Sequence, residues 1–447
     1  MADSSWRFQI PCGRKQVTVA FEGGALSSDG GVLLLQRVDE ALGLTARLAA
    51  CLGDGRDPKL VTHSTQDLVR QRIFGLACGY EDCNDFDLLR TDPLFKLAVG
   101  REPLTGANLG SQPTLSRLEN AVGRKELVRL GRELAEFFVE RHRAAPPKRI
   151  ILDVDATDDP THGQQELEFY HGYYGHHCYL PLLIYATADE GRQELVAAVL
   201  RPGKVHAGHR AVAVLRRIVA RLRVAFPQAE ILLRGDAGMA LPEVYDYCEE
   251  AGLQYVISLP KNSRLREQAE ASLQEARAIF AETGEKVRRF AEFRYAAESW
   301  PRERRVVVKA EVLAKGENPR FVVTSLEAPG PEAIYDDYYT PRGDVENRIK
   351  ELKDDLKSGR TSCHRFLANQ FRLLLHAAAF VLLQGLSQLL AGTELAAAQA
   401  GTLRVKLLKV GARVRQTLRR IWVQLPTGYP YQQPWAVILA KLAPGVT

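Results

Sequence analysis

Arg149-Ile-Ile-Leu-Asp-Val-Asp155 is the stretch on which the reading of this chain turns. Its apolar run is short, bounded and rich in β-branched residues, the pattern of a buried strand, and it ends in carboxylates. Ala145-Pro-Pro-Lys148, just before it, closes a long helical region and marks a domain boundary. Downstream the period keeps changing. Residues 179–186 and 194–200 read as a second and a third strand. Residues 209–226 form an amphipathic basic helix with Val212, Leu215, Ile218, Val219 and Leu222 on one face. Residues 229–233 are a fourth strand running into Arg234-Gly-Asp236, 242–251 a helix, and 254–259 a fifth strand.

The order β-β-β-α-β-α-β, with its first three strands close enough for a meander, is that of a ribonuclease-H-like α/β fold. Residues 146–260 are therefore predicted to be the first part of such a core. Before it, residues 1–25 form an N-terminal β-hairpin arm, with weak alternation through Phe8, Ile10, Val17, Val19 and Phe21. Residues 26–145 form a mainly helical domain for DNA binding or assembly, entered through the turn Ser27-Ser-Asp-Gly-Gly31 and broken at 53–58 and 103–112. Within it Ser111-Gln-Pro-Thr-Leu-Ser-Arg117 starts a short helix on which Ser116 and Arg117 are open to a recognition role in a DNA groove. Most helices that start this way read nothing.

Residues 261–335 are an insertion, a charged helix over 261–283 followed by alternating strands. Residues 336–395 complete the core. They open with Tyr339-Thr-Pro-Arg342-Gly-Asp-Val-Glu346-Asn-Arg-Ile-Lys350-Glu-Leu-Lys353-Asp-Asp-Leu-Lys357. Pro341 and Gly343 are expected to hold off the helix until Asp344, a good N-cap residue. Val345, Ile349, Leu352 and Leu356 then make an apolar stripe, and Glu346, Lys350, Lys353 and Lys357 a parallel one rotated by about 100°. An ordinary amphipathic helix with a Glu346–Lys350 pair has the same pattern. The basic tail, 396–447, carries seven cations and no acid between 403 and 420, as a solvated helix face or a surface that tracks phosphates.

Composition narrows the function. The chain has 447 residues, 46% hydrophobic and 26% charged, which suits a soluble globular protein of several domains. Net charge +6 permits a polyanionic partner. Seven scattered cysteines, with no second pair or histidine pair at zinc-ligand spacing, point to reduced buried thiols in a cytosolic protein. The N-terminus has no secretory pattern. The most apolar run, 373–383, is interrupted by His376 and reads as a buried helix, so no membrane span is expected.

Three acids stand out by position. Asp155 ends the first strand, Asp236 follows the fourth, and Glu346 starts a helix after the insertion. In a sheet whose first and fourth strands are neighbours, the first two meet at one edge, and a helix can bring the third. Carboxylates so gathered repel one another unless a hard cation neutralises them, and oxygen ligands suit Mg²⁺ or Mn²⁺. Two such ions about 4 Å apart support in-line phosphoryl transfer. Asp153 lies two residues before Asp155, on the same strand face, and is the alternative first ligand; Asp155 is favoured because it is last on the strand. His162 is a candidate contact to substrate or to a ligand residue, and a loop histidine without a role is the more common case.

The four residues Tyr339, Arg342, Glu346 and Lys353, at their fixed spacings, resemble the Tyr-Arg-Glu-Lys signature of bacterial insertion-sequence DDE transposases. Val154-Asp-Ala-Thr157 is similar to that family's first-aspartate motif, with Ala156 where many members have Gly, and Leu233-Arg-Gly-Asp-Ala-Gly238 is similar to the second. Tyr80-Glu-Asp-Cys-Asn-Asp85, Ser111–Arg117 and His364-Arg-Phe-Leu-Ala-Asn-Gln-Phe-Arg372 resemble the subgroup called transposase DDE domain group 1. The resemblance covers nearly the whole chain. It implies a cytoplasmic, nucleoid-associated bacterial enzyme with Asp155, Asp236 and Glu346 on two Mg²⁺ ions, for which Mn²⁺ substitutes. It implies that Tyr339, Arg342 and Lys353 touch DNA phosphates; Lys350 and Lys357, from the lysine row, and Arg117, on its short helix, are further expected DNA contacts. The expected partners are terminal inverted repeats, target DNA and a second copy of the chain in a synaptic dimer. A domesticated DNA-binding protein without catalysis, and a ribonuclease-H-like nuclease that never joins strands, are the alternatives.

Overall fold

The computed structural model describes residues 6–9 and 16–442. Trp6–Gln9 and Gln16–Val19 pair antiparallel, as the hairpin reading expects; its tip, with Ile10 and Cys12, lies outside the described residues. The chain divides into two compact units, residues 122–377 and residues 1–121 with 378–447.

In the first of these, α1 is Arg124–His142, β1 Arg149–Ala156, β2 Leu182–Ala188, β3 Glu194–Val199, α2 Ala211–Ala225 and β4 Glu230–Gly235. Then come α3 Pro242–Glu250, β5 Gln254–Leu259, α4 Glu270–Thr283, β6 Val287–Tyr295, β7 Arg304–Leu313 and β8 Arg320–Thr324. These eight strands lie in one sheet in the order β6-β7-β8-β5-β4-β1-β2-β3, with Gly316–Glu317 paired on β7. β4 runs parallel to both β1 and β5, and the other neighbours are antiparallel. The β-rich segment read as an insertion therefore continues the same sheet beyond β5. The charged helix expected over 261–283 is broken at Ala269 into Ser263–Gln268 and α4.

Strand alternation assigns the two faces. Ile150, Leu152 and Val154 join Ile184, Leu233 and Ile257 under Phe138 of α1, Leu215 of α2, Val244 of α3 and Leu273 of α4. Helix α1, upstream of the Pro-Pro boundary, thus belongs with this sheet. Ile151, Leu232, Val256, Val307 and Val322 form the opposite face, covered by Ile334 and Tyr335. Asp153 and Asp155 share that second face with Ile151.

The segment covering it departs from expectation. It is helical from Pro331, well before Asp344. A wide π-turn, Ile334–Tyr339, and a tight 3-10 turn, Thr340–Arg342, lead into α5, Gly343–Lys350. Pro341 has no N–H to donate, and the change of helical pitch absorbs it; Thr340 Oγ1 donates to the Tyr335 carbonyl at 2.9 Å. A second π-turn, Glu351–Asp355, follows α5. Val345, Ile349, Leu352 and Leu356 are all buried, as their spacing predicts. Lys357 is not in the lysine row: its φ of 56° puts it in the left-handed region past the helix end.

The other unit contains helices Val32–Leu42, Leu44–Ala50, Thr65–Cys78, Pro93–Ala98 and Gln112–Ala121. Arg72 and Glu119 form a buried ion pair there at 2.8 Å. The basic stretch expected as one helix face is instead a short helical turn, 400–408, and an antiparallel pair, Ala412–Gln416 with Ile421–Gln424, on which Leu26–Ser27 adds a third strand. Ala412 and Val414 point inward while Arg413 and Arg415 point out, a period of two that the cation count hid. Helix Phe366–Leu389 is longer than its apolar run and long enough to cross a membrane. Of its most apolar 18 residues, 83% are buried within the protein.

Leu352→Ala is expected to lower unfolding free energy in urea by about 2–5 kcal/mol, against no more than about 0.5 kcal/mol for the exposed Lys350→Ala.

Candidate active site

The register of the parallel pair β1–β4 sets Arg234 beside Asp153 and Gly235 beside Val154. The next residues along, Asp155, still paired with Leu183 of β2, and Asp236, just past the end of β4, therefore lie side by side at the C-terminal edge of the two strands. Asp236 begins a tight turn, Ala237–Met239, and its Oδ1 accepts from the Gly238 N–H at 2.9 Å. Asp155 is buried. Its Oδ1 accepts from the Ala156 N–H at 2.8 Å, and its Oδ2 from Arg342 Nη2 at 2.5 Å. Arg342 Nη1 is 3.8 Å from Glu346 Oε1, whose side chain is 62% exposed. One guanidinium thus bridges two of the three acids. It is itself buried, and its Nε meets no acceptor among the described residues.

Burial pushes the Asp155 carboxyl up to about 7; the charges of Asp236 and Glu346 add to this, and Arg342 opposes it. Among the described residues no three acidic, histidine or cysteine side chains stand close enough to hold an ion as placed. A cation has nevertheless been accommodated there, the protein's own Arg342. An oxygen-only donor set of like-charged carboxylates fits a hard divalent ion better than a softer one.

Lys353 lies on the same side, where its Nζ donates to Asp158 Oδ1 at 2.6 Å and to Thr157 Oγ1 at 3.1 Å. Burial raises the Asp158 carboxyl, but the bond to Lys353 and its charge prevail and hold it below the usual range. His176 Nε2 is 3.1 Å from Asp158 Oδ2. Asp158 and His176 were not singled out by sequence, and Thr157 only as the last residue of the first-aspartate motif; the acid pair directly after Asp155-Ala-Thr157 was the available signal. Tyr339 is half-buried with its ring 5.4 Å from Tyr335. Lys350 and Lys357 are exposed, and His162 is exposed in its loop. Arg117 is exposed on Gln112–Ala121, in the other unit, so the structure does not group it with the carboxylates.

The sequence profile of transposase DDE domain group 1 matches residues 9–446. The chain belongs to this family. Among solved structures, a cryo-EM structure of the piggyBac transposase synaptic complex with hairpin DNA matches at 13% identity and a TM-score of 0.40, over 85% of this chain and 79% of that one. No curated protein matches.

In this DDE-family chain the two aspartates of β1 have different surroundings. Both oxygens of Asp153 accept from Arg234, Oδ1 from Nε and Oδ2 from Nη2, each at 2.7 Å, and Oδ2 also accepts from Gln193 at 2.9 Å. Asp153 is fully buried and Arg234 nearly so. Removing one member of such a pair strands a buried charge, so Asp153→Ala is expected to cost about 3–5 kcal/mol in a denaturant melt.

Asp155 adds a pH dependence of definite sign. The folded protein keeps its proton up to about pH 7, the unfolded chain only to about pH 4. Between these values the folded state binds the extra proton, so stability falls as pH rises and levels off above 7. Asp159, also raised to about 7 by burial, adds the same slope. Urea unfolding at pH 4 and 7.5 is expected to show the difference between Asp155→Asn and wild type moving in the variant's favour at the higher pH.

Proposed function

We propose that this chain is a transposase whose ribonuclease-H-like core cleaves the terminal inverted repeats of its element and joins the freed 3′-hydroxyls to target DNA. The observation that carries the reading is that Asp155 and Asp236 lie side by side at the open edge of two parallel strands, with Arg342 bridging Asp155 to Glu346. The strand sequence β3-β2-β1-β4-β5, antiparallel on one side of β1 and parallel on the other, supports the ribonuclease-H-like assignment. Asp155, Asp236 and Glu346 are the residues that would hold Mg²⁺, in two ions, with Mn²⁺ as a substitute. When bound, such ions activate the attacking oxygen and stabilise the leaving one in an in-line displacement.

The chain's own residues do the rest. Asp153 keeps to its pair with Arg234 and leaves Asp155 as the first acid. Arg342 offers a planar fork that suits a phosphate as well as a carboxylate, so it exchanges Asp155 for the DNA backbone when the acids are otherwise engaged. Lys353, held by Asp158, presents a compact positive charge beside the same edge, and Tyr339 flanks it. Lys350 and Lys357 draw DNA towards α5. In the other unit, Arg117 and the exposed Arg413, Arg415, Arg419 and Arg420 add contacts to phosphates. An element has two ends and each copy of the chain one acid set, so two copies act together.

The test uses a labelled duplex carrying the element's inverted repeat. Wild type should cut it with Mg²⁺ and join the product to a second duplex. Glu346→Gln should bind it equally well and cut about 100-fold more slowly or worse. Binding without cutting in either Mg²⁺ or Mn²⁺ would sink the enzyme reading; cutting without joining would leave a nuclease. In the same system, affinity should fall steeply with salt, and Arg413→Ala with Arg415→Ala should flatten the log–log slope by about one for each phosphate no longer neutralised.

A further inference from the structure

The residues that follow the Asp155 loop form a small three-stranded sheet, Asp159–Pro160, His176–Tyr179 and Phe169–His171 in that order. Its outer hairpin is rich in rings: Phe169, Tyr170, His171, Tyr173, Tyr174, His176 and His177. The tip is closed by the Gly175 N–H donating to the His171 carbonyl at 2.8 Å, with Gly175 in the left-handed region at φ 75°, where a side chain would be strained.

This hairpin is tied to the acid edge. Pro160 and Asp159 pair with Cys178 and Tyr179. His176 reaches Asp158, which holds Lys353. From His176 the rings lead outward. Tyr174 is 6.1 Å from His176 and 5.0 Å from His171, and Tyr173 meets Tyr174 edge to face at 5.0 Å and 88°. Burial, with Asp158 and Asp155 next in weight, raises the Tyr174 phenol well above its usual range, so the ring lies within reach of those carboxylates' field. Tyr173, at the end of the row, is 87% exposed, and Tyr170 is 57% exposed. Lys204 sits over the Phe169 ring at 4.6 Å, which puts another cation at the base of the hairpin.

Exposed rings next to cations, beside a site for phosphate chemistry, make the arrangement that holds unpaired nucleotides: the cations take the backbone and a ring takes a base. Bases inside a duplex are already stacked on one another and offer no free face. We propose that Tyr173, braced by Tyr174, stacks on an unpaired base next to the phosphate that the acid site cleaves, so that the protein recognises an opened DNA end. The proposal deepens the transposase reading and rests on it.

The test measures binding alone, in EDTA, to a blunt duplex of about 30 base pairs and to the same duplex with a short 3′ single-stranded extension containing 2-aminopurine. Stacking on one base corresponds to roughly 5- to 100-fold in affinity. Wild type should prefer the extended probe by about that factor and quench its fluorescence. Tyr173→Ala should lose both the preference and the quench while binding the blunt duplex as wild type does, and Tyr173→Phe, which keeps the ring, should retain both. No preference in wild type, or a preference and quench that survive in Tyr173→Ala, overturns the proposal. Failure of the transposase reading shows separately, as absence of metal-dependent cutting.

Discussion

The ion pair between Asp153 and Arg234 is the constraint on which the rest of the core depends. Two opposite charges are taken out of water between neighbouring parallel strands, at a cost of several kcal/mol each. Only a bidentate geometry with further hydrogen bonds offsets that cost, and both are present: two 2.7 Å bonds, with Gln193 donating to the same carboxylate. A slip of one residue between β1 and β4 would leave both charges buried and unpaired, so the register is held firmly. Arg234 uses a further N–H on the Tyr338 carbonyl at 3.2 Å, and Arg149 lies over the Tyr338 ring at 5.3 Å. The same pair therefore aligns the two strands whose ends are Asp155 and Asp236 and fastens the helical segment that carries Arg342 and Glu346.

With the frame held in this way, the acid edge is electrostatically poised. Asp155 is buried beside two like charges and retains its proton to about pH 7, although a guanidinium touches it. Arg342 compensates part of the repulsion by bridging Asp155 and Glu346, and Lys353 is balanced in the same way by Asp158. The two cations at this edge that the proposed reaction would turn towards a phosphate, Arg342 and Lys353, are thus already paired with carboxylates there. Binding DNA becomes an exchange of anionic partners and leaves no buried cation exposed to an apolar surround at any stage.

The helical segment shows where periodicity stops being a guide. A strict 3.6-residue count places Glu346, Lys350, Lys353 and Lys357 on one stripe, and it is right about the burial of Val345, Ile349, Leu352 and Leu356. Pro341 and the two π-turns change the pitch on either side of α5, and the stripe ends before Lys357. The basic tail is a second instance. Seven cations without an acid describe a helix face and a β-hairpin equally well, and Gly411 with the alternation of Ala412, Arg413, Val414 and Arg415 selects the hairpin.

The sequence by itself determined the five strands that begin the core and their order along the chain, though not the small sheet at 159–179, together with the acids at the strand ends, the apolar face of α5 and the spacing of Tyr339, Arg342, Glu346 and Lys353. All of these are written in local periods and short separations along the chain. Tertiary structure alone decided which aspartate of β1 meets Arg342, which acid holds Lys353, and that the strands after α4 extend the core sheet. The reason is distance along the chain. Arg342 and Asp155 are 187 residues apart, and Lys353 and Asp158 are 195 apart. Asp153 and Asp155 share a strand face, and position along the strand favours Asp155 without naming either one's partner; the pairing of β1 with β4 sets Arg234 against the first and leaves the second to Arg342.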